Sequence, residues 1–180
     1  MKILKIVLIA LTIIIAIPLL IALGIKKEYA VEREIVINKS SDEVFNYLKY
    51  LKNQDNFSVW NKMDPDMKKS YTGTDGTIGF IAHWDSENKE VGKGTQTITN
   101  ITEGERIDTH LKFLIPFEAE DDAYMITEPV AENQTKVKWG FTGKMDYPSN
   151  FFLLIMDMED MIGGDLETGL SNLKEVMEKQ

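Results

Sequence analysis

The most regular hydrophobic pattern in the chain is a run of twenty residues without a charge. Residues 6–25 contain no Asp, Glu, Lys or Arg, and most of them are Ile, Leu or Val. At about 1.5 Å per residue, a helix of this length reaches roughly 30 Å, the thickness of a bilayer's hydrocarbon core. We therefore predict that residues 1–27 form an N-terminal transmembrane anchor, which crosses the membrane with residues 3–25 and precedes a domain of residues 28–180.

The same run admits a second interpretation, as a cleaved secretory signal. Lys2 and Lys5 would form its basic segment, and Ala22-Leu23-Gly24 resembles a cleavage site. Signal cores usually span about 7–15 residues, however, and Lys26 and Lys27 follow this longer run as a flank. An uncleaved, single-pass anchor is therefore favoured. Basic residues lie on both sides of it, so the preference for an extracytoplasmic domain is weak.

Beyond the anchor, apolar and polar residues alternate as they do in strands with one buried face. Glu28–Asn38 predicts a first strand, and about six further strands follow after a short helical region. In one of them Phe80, Ala82 and Trp84 share a face, while His83 lies on the opposite one. Consecutive strands joined by short turns predict an antiparallel meander.

Three segments have helical spacing instead. Ser40–Glu43 supplies an N-cap serine and an acidic first turn, and a second short helix is predicted over Gln54–Trp60. From Pro148 onward apolar residues recur every three or four positions, which predicts one long C-terminal helix that kinks at Gly163-Gly164. The predicted fold class is α+β, with a curved antiparallel sheet wrapped on that helix and one transmembrane helix before it.

Composition narrows the classes of partner. Residues 28–180 carry 16 basic and 29 acidic side chains, a net charge of −13. Such a domain repels nucleic acid, and no Lys/Arg cluster suggests otherwise. The chain has no Cys, which excludes disulfides and thiolate metal ligands. We predict no nucleic-acid partner and no cofactor.

A series of short motifs, taken in order, resembles one superfamily. Residues 29–178 are similar to the START-like family of polyketide cyclases/dehydrases and lipid-transport proteins, also called SRPBCC. The last motif resembles a subgroup of small bacterial proteins with an N-terminal membrane segment. The resemblance implies the helix-grip fold and an apolar cavity for a lipid, sterol, quinone, polyketide or hormone. The motifs are Ile37–Phe45, Trp60 before Pro65, Tyr71-Thr72-Gly73, Gly79 before Trp84, Gly92-Lys93-Gly94, Glu128-Pro129, Thr135–Trp139 and Met156–Gly163.

The alternation and the resemblance together define a candidate binding site for a hydrophobic small molecule. We expect its residues to line the concave face of the sheet and to be closed over by the C-terminal helix. The same residues would equally pack on one another as a filled core. From the sheet they are Phe80, Ala82, Trp84, Gln96, Ile98, Thr109, Leu111, Phe113, Met125, Val137, Trp139 and Phe141. From the helix they are Met158, Met161 and Ile162.

Two other function classes remain open. A cyclase/dehydratase-type enzyme needs polar groups inside the cavity, and Gln96, Thr109, Tyr124 and Thr127 are the candidates. None of these is a strong acid or base, so no catalytic residue is predicted. A protein-interaction module with a filled core would use the acidic surface to bind a basic partner.

The remaining candidate groups favour ordinary surface roles. His83 and His110 are the only histidines, and the alternation turns both outward. The carboxylates of Glu118–Asp122 and Asp157–Asp160 lack the spacing of a calcium loop, and no paired His exists for zinc. We predict no metal site.

Overall fold

A computed structural model describes residues 2–179 of the chain. An apolar helix comes first, then seven strands with helical segments after the first strand and after the last. The helices are α1 (Lys2–Ala22), α2 (Ser41–Leu48), α3 (Val59–Met63) and α4 (Met158–Glu178), and 3₁₀ turns cover Leu51–Asn56 and Ser149–Leu154. The strands are β1 (Glu28–Ile37), β2 (Lys68–Thr72), β3 (Ile81–Asp85), β4 (Lys93–Thr102), β5 (Arg106–Ile115), β6 (Ala119–Ala131) and β7 (Gln134–Lys144).

The seven strands form one antiparallel sheet in the order β1-β7-β6-β5-β4-β3-β2. Six of them follow as a meander, and β1 pairs with β7, so β1 and β2 are the edge strands. Helix α4 packs chiefly on β1 and less on β7. Its buried residues Leu166, Leu170 and Leu173 recur at helical spacing and face the sheet. The predicted α+β fold class is confirmed.

Local signals explain where the first helix begins. Ser40 is the N-cap of α2, and its hydroxyl accepts from the Glu43 N–H while the Glu43 carboxylate accepts from the Ser40 N–H. This reciprocal capping box satisfies two backbone donors that a helix start leaves free. The second short helix is displaced from its predicted range, because Ser58 begins α3 after the 3₁₀ turn.

The C-terminal helix differs from its prediction in where it is broken. The chain forms a 3₁₀ turn at Ser149–Leu154, and α4 starts only after Asp157, whose side chain accepts from the Asp160 N–H as an N-cap. The helix then runs through Gly163 and Gly164 without interruption. Gly163 serves close packing instead, since a Cβ there would lie 2.2 Å from Nη2 of Arg33 on β1.

Helix α1 is long and apolar enough to cross a bilayer, and nearly all of its side chains are exposed. Its last turn, in contrast, is docked on the domain. Ala22 is buried, and the fully buried Asn150 donates from Nδ2 to the carbonyl oxygens of Ala22 (2.7 Å) and Ile25 (3.1 Å). These bonds satisfy carbonyls that a helix end leaves unpaired.

The strand register places several loops at the end of the sheet where α1 leaves it, which we name the proximal end. Glu28 at the start of β1 pairs with Lys144 at the end of β7. Lys93 at the start of β4 pairs with both Asp85 and Ile115, the last residues of β3 and β5. The loops 86–92, 116–118 and 145–157 therefore share the proximal end, and α2 lies at the opposite, distal end.

Candidate functional site

The twelve sheet residues of the predicted site lie on one face of the sheet. Cross-strand partners include Ala82 with Gln96, Gln96 with Leu111 and Met125 with Trp139, which joins the strands across that face. The face divides by burial into two halves. The distal face consists of the buried residues Phe80, Ile98, Thr109, Met125, Val137 and Trp139. The proximal face consists of the partly exposed residues Ala82, Trp84, Gln96, Leu111, Phe113 and Phe141.

The distal face is packed as a core. Trp139 meets the rings of Phe57 and Trp60 edge to face, at centroid distances of 5.6 and 6.0 Å. Gly169 on α4 makes room for this indole, because a Cβ there would lie 2.6 Å from it. The cavity that remains beside Thr109 and Trp139 measures about 10 Å³, which is room for about one water molecule.

The proximal face is apolar and partly open. Trp84 meets Phe113 edge to face at 5.8 Å, and Phe141 stacks on Tyr29 of β1 at 6.2 Å. The Trp84 indole lies directly over Gly94, where a Cβ would approach it to 2.5 Å, and its Nε1 donates to the Val91 carbonyl. The glycine and the carbonyl thus hold Trp84 in place although part of its surface remains exposed.

Two of the three predicted site residues on helix α4 pack against the domain. Met158 and Ile162 are partly buried and pack on the core. Met161 is 55% exposed. The positions 158, 162, 166 and 170 form one helical stripe, and position 161 falls outside it. The prediction that Met161 closes over the sheet therefore does not match its placement.

An open groove of about 600 Å³ runs beside the edge strand β1 at the proximal end. It lies between the end of α1, the start of β1 and the segment that leads into α4. Its apolar lining includes Ile25, Val31 and Met156, with Lys26 and Glu159 among its charged neighbours. Tyr29 and Met158 also line the groove, so it adjoins the proximal face.

One buried carboxyl faces the interior at the proximal end, a feature that sequence reasoning missed. Asp121 is 8% exposed and pairs across the sheet with Leu111 on the concave face. Burial raises its pKa, and burial together with the Asp121 charge raises the pKa of Tyr29. One Asp121 oxygen accepts from the Lys144 N–H at 3.3 Å. The alternation of β6, on which 121, 123 and 125 share a face, was the signal that could have revealed it.

The other polar candidates are placed differently. Gln96 donates to the Thr109 hydroxyl at 3.2 Å, inside the sheet. Thr127 also faces inward, but its hydroxyl donates a hydrogen bond to the Gly104 carbonyl.

Tyr124 was expected inside the cavity. It lies instead on the convex face, where its hydroxyl donates to Glu32 and its ring packs under Arg106. Gly140 across the sheet lacks the Cβ that would collide with its ring.

The histidines lie on the convex face, as their alternation predicts. His110 contacts Asp122 at 2.9 Å through Nδ1, and His83 contacts the Thr72 hydroxyl at 3.2 Å through Nε2. Across residues 2–179, no group of three His, Asp or Glu side chains is gathered as ligands for a metal ion.

Comparison with known proteins identifies the fold. No family model and no curated protein matches the sequence. Among solved structures, norcoclaurine synthase from Thalictrum flavum, in complex with dopamine and hydroxybenzaldehyde, is 11% identical with a TM-score of 0.63, over 89% of this chain and 92% of that one.

Two further solved structures have a similar fold. The Aha1 dimer from Colwellia psychrerythraea is 14% identical with a TM-score of 0.56, over 83% of this chain and 96% of that one. The structure of Ara h 8.0201 is 12% identical with a TM-score of 0.55, over 85% and 99%. At such identities the likeness concerns the fold alone. The fold of this chain is the helix-grip fold, as its sequence motifs predicted.

Proposed function

We propose that this protein is a membrane-anchored binding domain that holds a hydrophobic small molecule, such as a lipid, quinone or polyketide-like compound, against its proximal face. The observation that carries the proposal is the contrast within one face of the sheet. The distal face is closed, whereas Trp84, Leu111, Phe113 and Phe141 leave apolar surface open at the end where α1 departs. Exposed contiguous apolar surface in a soluble domain commonly marks a binding site.

The junction with α1 supports an anchor that is retained. Asn150 is fully buried, and its amide donates to Ala22 and Ile25, at the end of α1 and just beyond it. Cleavage after Gly24 would remove the Ala22 carbonyl and leave this buried amide short of an acceptor, which costs about 1–3 kcal/mol. The mature chain should therefore keep residues 1–27, and an intact mass beginning after residue 24 would contradict this.

The groove along β1 supports a route between the bilayer and the proximal face. Its lining includes Ile25, just beyond the end of α1, and Tyr29, which stacks on Phe141 of the proximal face. A tether that holds the site next to its lipid source raises the effective concentration of that source. The polar end of a bound molecule would meet Asp121 and Tyr29, two inward-facing polar groups at this end.

Photo-crosslinking tests the proposed site in the full-length chain. The protein is reconstituted into vesicles that contain phosphatidylcholine with a diazirine in one acyl chain, and the modified peptides are identified by mass spectrometry. We expect modification of the peptides that carry Trp84, Leu111 to Phe113 and Phe141. Modification confined to α1 would contradict the proposal and favour the protein-interaction module.

A matched pair of variants separates occupancy of the site from mere proximity to lipid. Ala82→Trp places a bulky side chain on the proximal face, and His83→Trp places the same side chain on the convex face one residue later. Ala82→Trp should reduce crosslinking at Leu111 and Phe113, and His83→Trp should not. Thermal melting of both variants controls for unfolding.

An enzyme of the cyclase/dehydratase kind is the second candidate, and Asp121 is the observation that favours it. A buried carboxyl with a raised pKa can hold a proton and deliver it to a bound molecule. If so, the wild-type protein should convert a hydrophobic compound that it captures from a lipid extract, and Asp121→Asn should bind the same compound without converting it. Identical products or none from both proteins would leave binding as the function.

A further inference from the structure

The proximal end carries an apolar rim that the fold itself does not cover. Five large apolar side chains are exposed there, from the end of β5 and from the two loops 116–118 and 145–157, led by Phe117 at 81%, Ile155 at 68% and Leu154 at 60%. A side chain of this kind normally gains free energy by leaving water. The rim consists of Ile115, Phe117, Phe152, Leu154 and Ile155.

The rim is continuous with the last turn of α1. Asn150 binds the end of α1, and the 3₁₀ turn that contains Asn150 also carries Phe152 and Leu154. The loop with Phe117 lies at the same end, because β5 ends and β6 begins there. It is also braced by its neighbour, since a Cβ on Gly92 would lie 2.0 Å from the Ile115 carbonyl oxygen.

Charges near the rim are largely paired with one another. Lys27 and Lys144 both contact the Asp146 carboxylate, at 3.6 and 3.1 Å. Glu118 and Glu120 flank the Phe117 loop, and Glu120 contacts Lys112 at 3.1 Å. The rim therefore offers a partner apolar side chains, and the basic residues Lys27 and Lys144 beside it are already paired with Asp146.

We infer that the rim is inserted into the interface of the bilayer that α1 spans, so that the domain rests on the membrane with its proximal face over the lipid. The inference rests on the anchoring proposed above. Because Asn150 fastens the end of α1 to the rim, the domain cannot rotate far from the membrane surface. Hydrophobic insertion, rather than attraction to charged headgroups, holds it there.

Single-cysteine labelling tests the inference in the full chain, which has no cysteine of its own. Phe117→Cys and Ile155→Cys each receive a nitrobenzoxadiazole fluorophore, and Glu132→Cys in the β6–β7 turn at the distal end is the matched control. The proteins are reconstituted in phosphatidylcholine vesicles, with or without lipid that carries a nitroxide high on the acyl chain. All three positions are exposed, so substitution should disturb folding little.

We expect a blue-shifted emission and strong quenching by the nitroxide lipid at 117 and 155, unchanged at high salt, and neither effect at 132. Emission at 117 and 155 equal to that at 132 would overturn the inference. A blue shift without lipid quenching would overturn it too, because a second copy or another protein would then cover the rim.

The labelling experiment tests the rim and the crosslinking experiment tests the binding site, so either proposal can be rejected while the other is retained. Quenching at 117 and 155 without crosslinks on the proximal face would retain the rim and reject the binding site. Crosslinks that Ala82→Trp suppresses, without quenching at the rim, would retain the binding site and reject the rim. The double variant Phe117→Asp and Ile155→Asp should abolish quenching at a label on Leu154→Cys while melting at the same temperature.

Discussion

The distal and proximal halves of the concave face have nearly the same composition and opposite packing. Each half contains aromatic and aliphatic residues on alternating strand positions, and each has one tryptophan held against a glycine. Trp139 is covered by Phe57, Trp60 and α4, whereas Trp84 lies over Gly94 beside Phe113 and stays partly exposed. The difference shows that the apolar pattern of a strand defines which face is inside, and the neighbouring elements decide whether that face is filled.

The largest effect is expected from Trp139→Ala, which removes the centre of the distal face. The variant loses two edge-to-face aromatic contacts and leaves a cavity below α4, so the free energy of unfolding should fall by about 3–5 kcal/mol. Urea denaturation of the full chain in detergent, followed by circular dichroism, measures this. A loss as small as that of a surface substitution would show that the distal half is not the core.

The same substitution at two glycines of α4 tests how tightly the helix packs on the distal face. Gly169→Ala should destabilise the domain by roughly 1–3 kcal/mol, since the new Cβ would press on Trp139. Gly164→Ala meets nothing within 4 Å and should stabilise the helix by up to about 1 kcal/mol, because Ala is the better helix former. Opposite shifts in melting temperature are expected, and a destabilising effect of Gly164→Ala would contradict the open, regular helical environment of that position.

Trp84→Ala removes the tryptophan of the proximal face. It should weaken lipid binding far more than it lowers the stability of the domain. Its side chain is only partly buried, so the loss of stability should be about 1 kcal/mol, well below that of Trp139→Ala. Crosslinking of the diazirine lipid to the Leu111 peptide should fall much more sharply. Equal damage to stability and crosslinking would support a filled core in both halves.

The smallest effect concerns the pH dependence of Asp121. Burial raises its pKa in the folded state, so the folded domain holds the proton more tightly than the unfolded chain does. Its charged form therefore costs stability above the folded pKa, and this cost disappears below the unfolded pKa of about 3.9. Asp121→Asn should raise the melting temperature at pH 7, and the gain should shrink as the pH falls toward 4.

Asp122→Asn is the matched control for that measurement. Its side chain lies on the convex face beside His110 and is exposed. A gain of the same size in both variants would reflect the reduced net charge of an acidic protein and would remove the argument that Asp121 is a special group.

Residue order alone was sufficient for the fold class, the apolar run of α1, the antiparallel strands and the face on which each of the twelve sheet residues lies. These follow from periodicity, which is a local property: a strand turns alternate residues to one face whatever lies above it. The same rule turned His83 and His110 outward and would have turned Asp121 inward. The rule also turns Tyr124 outward, and the prediction that this residue faces the cavity was therefore wrong.

Long-range contacts decided the rest. Whether the concave face holds a cavity depends on Phe57 and Trp60, which reach Trp139 from a segment far away in the chain. In the segment before α4, the Asn150 amide donates to Ala22 at the end of α1, more than a hundred residues earlier. The rim and the groove exist because register gathers separate loops at one end of the sheet. Such contacts form between residues that are distant in sequence, and no local pattern records them.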